Sequence, residues 1–235
     1  MEKLPINRLF CVGPFNSGTN LLNNILNNAC CVDRVNKQII KILEADVINE
    51  EPDPILKEIS LKHVFSEEVL NKYVNYENIG VIVLYKNIYN WIYSVKKSPY
   101  HLVFDTLFTT IDFKGNKFDN IIELYNFYYK MYINVIEKNN NVIFIDYYKL
   151  IDDKISFNYI NYKLSKFRLC IVSKLRLFKE LNTPSKNHGD CVSNSKKALE
   201  NYLMNQELVK NYIINNTNLI EKVDTNITHF FENKI

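Results

Sequence analysis

The stretch RLFCVGPFNSGTNLLNNI, from Arg8 to Ile25, decides the fold of this chain. Arg8–Val12 is a short apolar run with the character of a buried strand, and from Asn20 onward the apolar residues fall at helical spacing. Gly13 and Gly18 bracket the turn between them. Two of the chain's five glycines stand there, where backbone has to approach something closely. A helix starting directly after such a turn presents N–H groups and the positive end of its dipole, which together favour an anion. The stretch therefore predicts a strand, an anion-binding loop and a helix over 17–28.

Gly13 and Gly18 have the separation found in the nucleotide loop G-x-x-x-x-G-K-[ST], whose lysine reaches the outer phosphates and whose hydroxyl holds magnesium. Thr19 stands where that lysine belongs. The loop thus predicts an anion site and speaks against metal-dependent hydrolysis of a nucleoside triphosphate.

Outward from the loop, strands and helices alternate. A second short strand is expected over 59–64, then a helix opening at Ser66 with Glu67 and Glu68 in its first turn, where the dipole favours acids. Ile79–Tyr85 (IGVIVLY) is apolar on both faces, the mark of a strand inside a parallel sheet. A helix over 87–97 follows, then a tyrosine-rich helix over 118–138 and another buried strand over 142–145. From residue 155 the chain reads as helices separated by a polar stretch over 182–195. This pattern predicts an α/β fold, a three-layer α/β/α sandwich around a central parallel sheet. At 235 residues the chain reads as a single domain.

Composition narrows the function classes. Apolar residues make up 47% and charged residues 23%, as in a soluble globular protein. A net charge of +3 is too small for a nucleic-acid partner, but it suits a pocket for a polyanionic small molecule. Cys11, Cys30, Cys31, Cys170 and Cys191 form an odd set without CxxC spacing, so neither a zinc site nor a disulfide framework is expected. A reducing compartment is their natural home. No segment has the character of a signal peptide or a membrane span, and a cytoplasmic protein without membrane partners is expected.

In a parallel sheet, ligands bind beyond the carboxyl ends of the strands. That rule selects Gly13 to Asn20, Lys62-His63, Lys86-Asn87 and Asp146 to Tyr148 together. Lys86 ends a strand, and Ser94 lies eight residues on in the next helix, so the two can close on one phosphate. Taken singly, they also read as a solvated lysine and a helical serine bonded to the preceding turn. His63 stands where a base would be needed, with an imidazole suited to proton transfer near neutrality. His101, His188 and His229 read as packing or surface residues. Tyr125, Tyr128, Tyr129 and Tyr132 on one helix, with Trp91 and Phe104, read as core ahead of a pocket for a sugar or aromatic.

These residues together resemble the PAPS-dependent sulfotransferase family, whose fold is a variant of the P-loop NTPase architecture. Its 5′-phosphosulfate loop typically reads K-S-G-T-x-x-L, and this chain has Asn16-Ser17-Gly18-Thr19-Asn20-Leu21-Leu22. The family places a basic residue eight positions before a serine for the 3′-phosphate, matched by Lys86 and Ser94 in KNIYNWIYSVKKSPY. Its catalytic histidine lies between these motifs near a lysine, the interval that holds Lys62 and His63. Tyr147-Tyr148-Lys149-Leu150 looks like a worn form of its Y-E-D-L segment, and Lys186-Asn187-His188-Gly189 like its late basic-glycine segment. Order and spacing hold across 8–150, which the resemblance makes a nucleotide-binding core. Residues 151–235 are expected to form a mainly helical C-terminal part.

The resemblance implies transfer of a sulfuryl group from 3′-phosphoadenosine 5′-phosphosulfate (PAPS) to a hydroxyl or amine of a small-molecule or glycan acceptor. Adenosine 3′,5′-bisphosphate is the product, and no metal is expected. Asn16, Ser17, Gly18, Thr19 and Asn20 would hold the 5′ end, Lys86, Ser94 and Lys186 the 3′-phosphate, with His63 as base and Lys62 assisting. Three positions depart from the family: Asn16 replaces the lysine or arginine that assists the leaving group, Lys86 replaces an arginine, and the K-x-H spacing shortens to Lys62-His63. Two other readings stand beside it, a P-loop small-molecule kinase and a non-catalytic binding protein that keeps the fold.

Overall fold

A computed structural model describes residues 5–43, 63–76, 78–97, 99, 102, 109–113, 115–183, 195–214 and 223–233. Four strands, β1 (Arg8–Val12), β3 (Lys41–Leu43), β4 (Ile79–Tyr85) and β7 (Val142–Asp146), form a parallel sheet in the order β3-β1-β4-β7. β4 lies at its centre with all seven residues buried, as its two-faced apolar sequence requires.

Alternation along the strands divides the core in two. Phe10 and Val12 of β1, Val81, Val83 and Tyr85 of β4, and Val142 and Phe144 of β7 face one side. That side is covered by α2 (Glu67–Val74), α3 (Ile88–Lys97), α4 (Ile121–Lys138) and the short α9 (Thr225–Asn233). Leu9, Cys11, Ile82, Leu84, Ile143 and Ile145 face the other, against α1 (Thr19–Asn28), α5 (Tyr147–Ile151), α6 (Ser156–Ser165) and α7 (Lys174–Asn182). This is a mixed α/β protein with a central four-stranded parallel sheet flanked by helices, the layering expected from the sequence. α8 (Ser195–Ile214) completes the helices described.

The chain leaves β1 through α1 on one face to reach β3, then crosses to β4 through α2 on the opposite face. The direction of winding therefore reverses at β1. A crevice opens beyond the carboxyl end of the strand at such a reversal, and here that end is the loop from Gly13 to Thr19.

Several boundaries move from their expected positions. α1 begins at Thr19 rather than 17, because Gly18 takes a left-handed conformation (φ 99°) and serves as its N-cap. Ser66 caps α2 as expected, its hydroxyl accepting from Val69 N at 3.4 Å. The tyrosine-rich helix begins at Ile121 because Asn120 accepts from the amides of Ile122 and Glu123. The expected strand over 59–64 lies mostly outside the described residues; His63 and Val64, its described end, are not in a strand. β2 (Cys31–Asp33) and β8 (Leu169–Ile171) pair antiparallel beside the main sheet, so the C-terminal part also contributes a strand. β5 (Ile111–Phe113) and β6 (Asn116–Phe118) form a separate hairpin. No described helix is long and apolar enough to cross a membrane.

Candidate functional site

The loop after β1 places a left-handed residue on either side of Ser17. Asn16 has φ 61° and Gly18 φ 99°. Ser17 N closes the turn on Pro14 O at 3.1 Å, and the following N–H groups of Gly18 and Thr19 can line a concave nest for an anion. No side chain caps α1, and its first turn carries no acid. The dipole end thus meets the nest without a competing negative charge.

Ser17 supplies a second, independent sign. Its hydroxyl is fully buried and has no hydrogen-bond partner among the described residues. A buried polar group without a partner costs about 1–3 kcal/mol, so such a group calls for an occupant. It lies against Gly13, where a Cβ would collide with Ser17 Oγ. Gly13 therefore makes room for the serine side chain, and Gly18 does the same for a ring: a Cβ there would stand 2.6 Å from Tyr147 Cε2. Thr19 is buried at the first helical position, and Asn20 is half-buried beside it.

Lys86 reaches the loop from the end of β4. Its Nζ donates to Ser94 Oγ at 2.7 Å and to the Asn16 carbonyl at 3.0 Å. The ammonium also stands 4.5 Å from the centre of the Tyr147 ring. Ser94 Oγ in turn donates to Asn90 O at 2.8 Å, so the serine bonds to the preceding turn and accepts the lysine as well. The solvated reading of Lys86 does not hold, for the residue is only 7% exposed. Burial pulls its ammonium down from the ordinary 10.5 to about 7.

Tyrosines hold the end of β4 in place. Lys86 N donates to Tyr129 Oη at 2.9 Å, Tyr129 Oη donates to Leu84 O at 3.3 Å, and Tyr125 Oη donates to Lys86 O at 3.2 Å. Tyr132 Oη donates to Val64 O at 3.2 Å, fixing the segment that carries His63. All four helix tyrosines are core, with side chains at most 1% exposed. Burial raises each of their phenols well above the ordinary range.

His63 faces the loop from the other side, with Nδ1 2.8 Å from Gly13 O. A carbonyl can only accept, so Nδ1 carries a proton toward it, and in the neutral form of such a ring the lone pair lies on Nε2. That is the tautomer a general base needs. Trp91 completes the frame, its Nε1 donating to Phe15 O at 2.8 Å.

The structure thus brings Asn16, Ser17, Gly18, Thr19, His63, Lys86 and Ser94 to one end of the sheet. Lys62 and Lys186 lie outside the described residues, as do His101, Phe104, His188 and Cys191. The sequence did not disclose what Tyr147 does against Gly18, nor what Trp91 does at Phe15. The aromatic character of Tyr147, directly after the end of β7, was the one available signal. Among the described residues no three His, Cys, Asp or Glu are grouped to hold a metal ion. No protein-family model, curated protein or solved structure matches this chain.

Proposed function

We propose that this chain is a PAPS-dependent sulfotransferase on a P-loop NTPase-like fold. The observation that carries the reading is the meeting of Lys86 Nζ, Ser94 Oγ and the Asn16 carbonyl beside a loop whose buried Ser17 hydroxyl has no partner among the described residues. Cation, hydroxyl and nest converge there on the requirements of a nucleotide bearing several anionic groups.

The donor supplies an activated sulfuryl group when bound. The chain's part is to bind and orient it: the amides of Gly18 and Thr19 and the hydroxyls of Ser17 and Thr19 take the 5′ end, while the Lys86 ammonium, held by Ser94, takes a phosphate. His63 Nε2 accepts the proton of an acceptor hydroxyl or amine, a step worth about 10²–10⁴ in rate. Positioning and preorganised charge supply the rest.

Asn16 is the departure that most bears on catalysis, and its backbone gives it a reason. Residue 16 has φ 61°, a region where asparagine is several-fold enriched over most side chains. Conformation accounts for asparagine here without any loss of activity being implied.

The kinase reading requires a carboxylate at a strand end for a metal. Asp146 is the candidate, and its Oδ1 already accepts from Tyr148 N at 2.7 Å and Lys149 N at 3.3 Å as the N-cap of α5. That favours the sulfotransferase reading. Thermal shift with adenosine 3′,5′-bisphosphate, against ATP with magnesium, is the test. Stabilisation by the bisphosphate without metal is expected, and stabilisation by ATP with magnesium alone would replace the reading with the kinase one. Bisphosphate binding with no transfer across a broad acceptor panel would leave a non-catalytic binding protein.

A further inference from the structure

We propose that Lys86 is the cation of the 5′ loop, delivered from β4 in place of the loop residue that Asn16 is not. The inference rests on reading residues 13–19 as the anion loop, and it assigns Lys86 to the anion held there rather than to a 3′-phosphate.

The geometry is specific. Lys86 Nζ is bonded to the carbonyl of residue 16 itself, the position at which a loop cation would be rooted. The bond lands on a residue in the left-handed conformation, one of the two that form the nest. Ser94 fixes the ammonium from α3, and its own proton goes to Asn90 O, so the hydroxyl can only accept from Lys86. Lys86 is thus a positioning residue for the loop that also brings a positive charge to it. A flexible lysine placed in the loop would lose more side-chain freedom on binding than one already fixed at three points.

The surroundings make that charge conditional. Tyr125 and Tyr129 from α4 meet the Lys86 backbone and Tyr147 from α5 meets its ammonium, with Tyr85 packed on the Tyr129 ring and Tyr202 of α8 on the Tyr147 ring. Burial raises the phenols of Tyr125, Tyr129 and Tyr147, so none of these supplies a countercharge. The Asp146 carboxylate at the end of β7 is held by the amides of Tyr148 and Lys149. Loss of water is accordingly what lowers the Lys86 ammonium to about 7. An anion in the loop stabilises the protonated form, so binding draws in a proton above that pH. Affinity for the anion therefore falls as pH rises past about 7.

The test uses two probes on the full chain, inorganic sulfate and adenosine 3′,5′-bisphosphate, with binding read by thermal shift and calorimetry. Sulfate keeps one charge state from about pH 6 to about pH 9, so any change in its binding belongs to the protein. Wild-type binding of sulfate is expected to weaken up to about tenfold per pH unit above neutrality, the limit for one linked proton. Lys86→Met is expected to weaken sulfate and bisphosphate by the same factor, about tenfold or more. Lys86→Arg, which stays charged throughout this range, is expected to bind sulfate without the pH dependence. Loss of bisphosphate binding alone in Lys86→Met, with sulfate unchanged, would overturn the inference and make Lys86 a 3′-phosphate ligand. So would a wild-type sulfate affinity that stays flat across the range. The expected sulfate pattern without any bisphosphate binding would bring down the nucleotide reading and leave the loop cation standing.

Discussion

Lys86 Nζ and the carbonyl oxygen of Asn16 are 3.0 Å apart, and that bond ties the centre of the sheet to the loop after β1. The lysine is buried with its charge opposed by desolvation alone. Stability should therefore record its titration. The unfolded chain keeps the proton up to the ordinary 10.5, whereas the folded chain gives it up near 7. Between those values unfolding takes up a proton, so this residue makes stability rise with pH across that window and contributes no slope below it. Urea unfolding across about pH 6.5 to 9.5 should show wild type gaining on Lys86→Met as pH increases. Parallel curves for the two proteins would mean that the ammonium is not perturbed.

His63 faces Gly13 O through Nδ1 at 2.8 Å. His63→Asn offers an amide N–H at nearly the same place while removing the basic Nε2. Transfer activity should fall about 10²–10⁴-fold, with adenosine 3′,5′-bisphosphate affinity retained. Release of that product from the donor, measured with an acceptor panel, checks the first part and calorimetry the second. Full activity in the variant would remove His63 from the chemistry.

Gly18 lies at φ 99° beneath the Tyr147 ring. Gly18→Ala should destabilise the protein by about 1–3 kcal/mol, since a left-handed backbone and a close ring contact are both unfavourable to a Cβ. Denaturant midpoints measure the cost. A second replacement, Tyr147→Ala, should recover part of it by removing the ring, and no recovery would show that backbone strain is the whole effect.

Tyr129 takes the amide proton of Lys86 and donates to Leu84 O. Tyr129→Phe leaves a buried N–H unpaired, at about 1–3 kcal/mol, and frees the end of β4 to move. Both a lower denaturant midpoint and weaker binding of the bisphosphate are expected. A drop in midpoint without any change in binding would separate the strand end from the site.

The loop was legible in the sequence because its conformation dictates residue type: Gly13 and Gly18 are where a side chain would collide, and Ser17 and Thr19 are small hydroxyl donors. Lys86 and Ser94 were legible because a strand end and two helical turns fix their separation. β4 and β7 announced themselves as unbroken apolar runs. The three-residue strands β2, β3 and β8 did not, since so short a segment shows no period to read. The left-handed turn at Asn16 was equally hidden, and it gives asparagine at that position a conformational reason. Contacts such as Trp91 to Phe15 O follow from the packing of whole elements, and no local pattern encodes them.

The bonds that shape the hollow all join distant parts of the chain. His63 to Gly13 spans 50 residues, Lys86 to Asn16 spans 70, and Trp91 to Phe15 spans 76. Each requires a long loop to close before it can form, and closure of that kind is a late and slow event in folding. A peptide covering residues 8–25 would carry the whole loop sequence and none of the partners that hold its shape. A ligand that recognises the hollow would bind only the assembled chain and so stabilise all of it at once. Ligand capture is then a report on folding itself, because these contacts do not exist until β1 and β4 lie side by side.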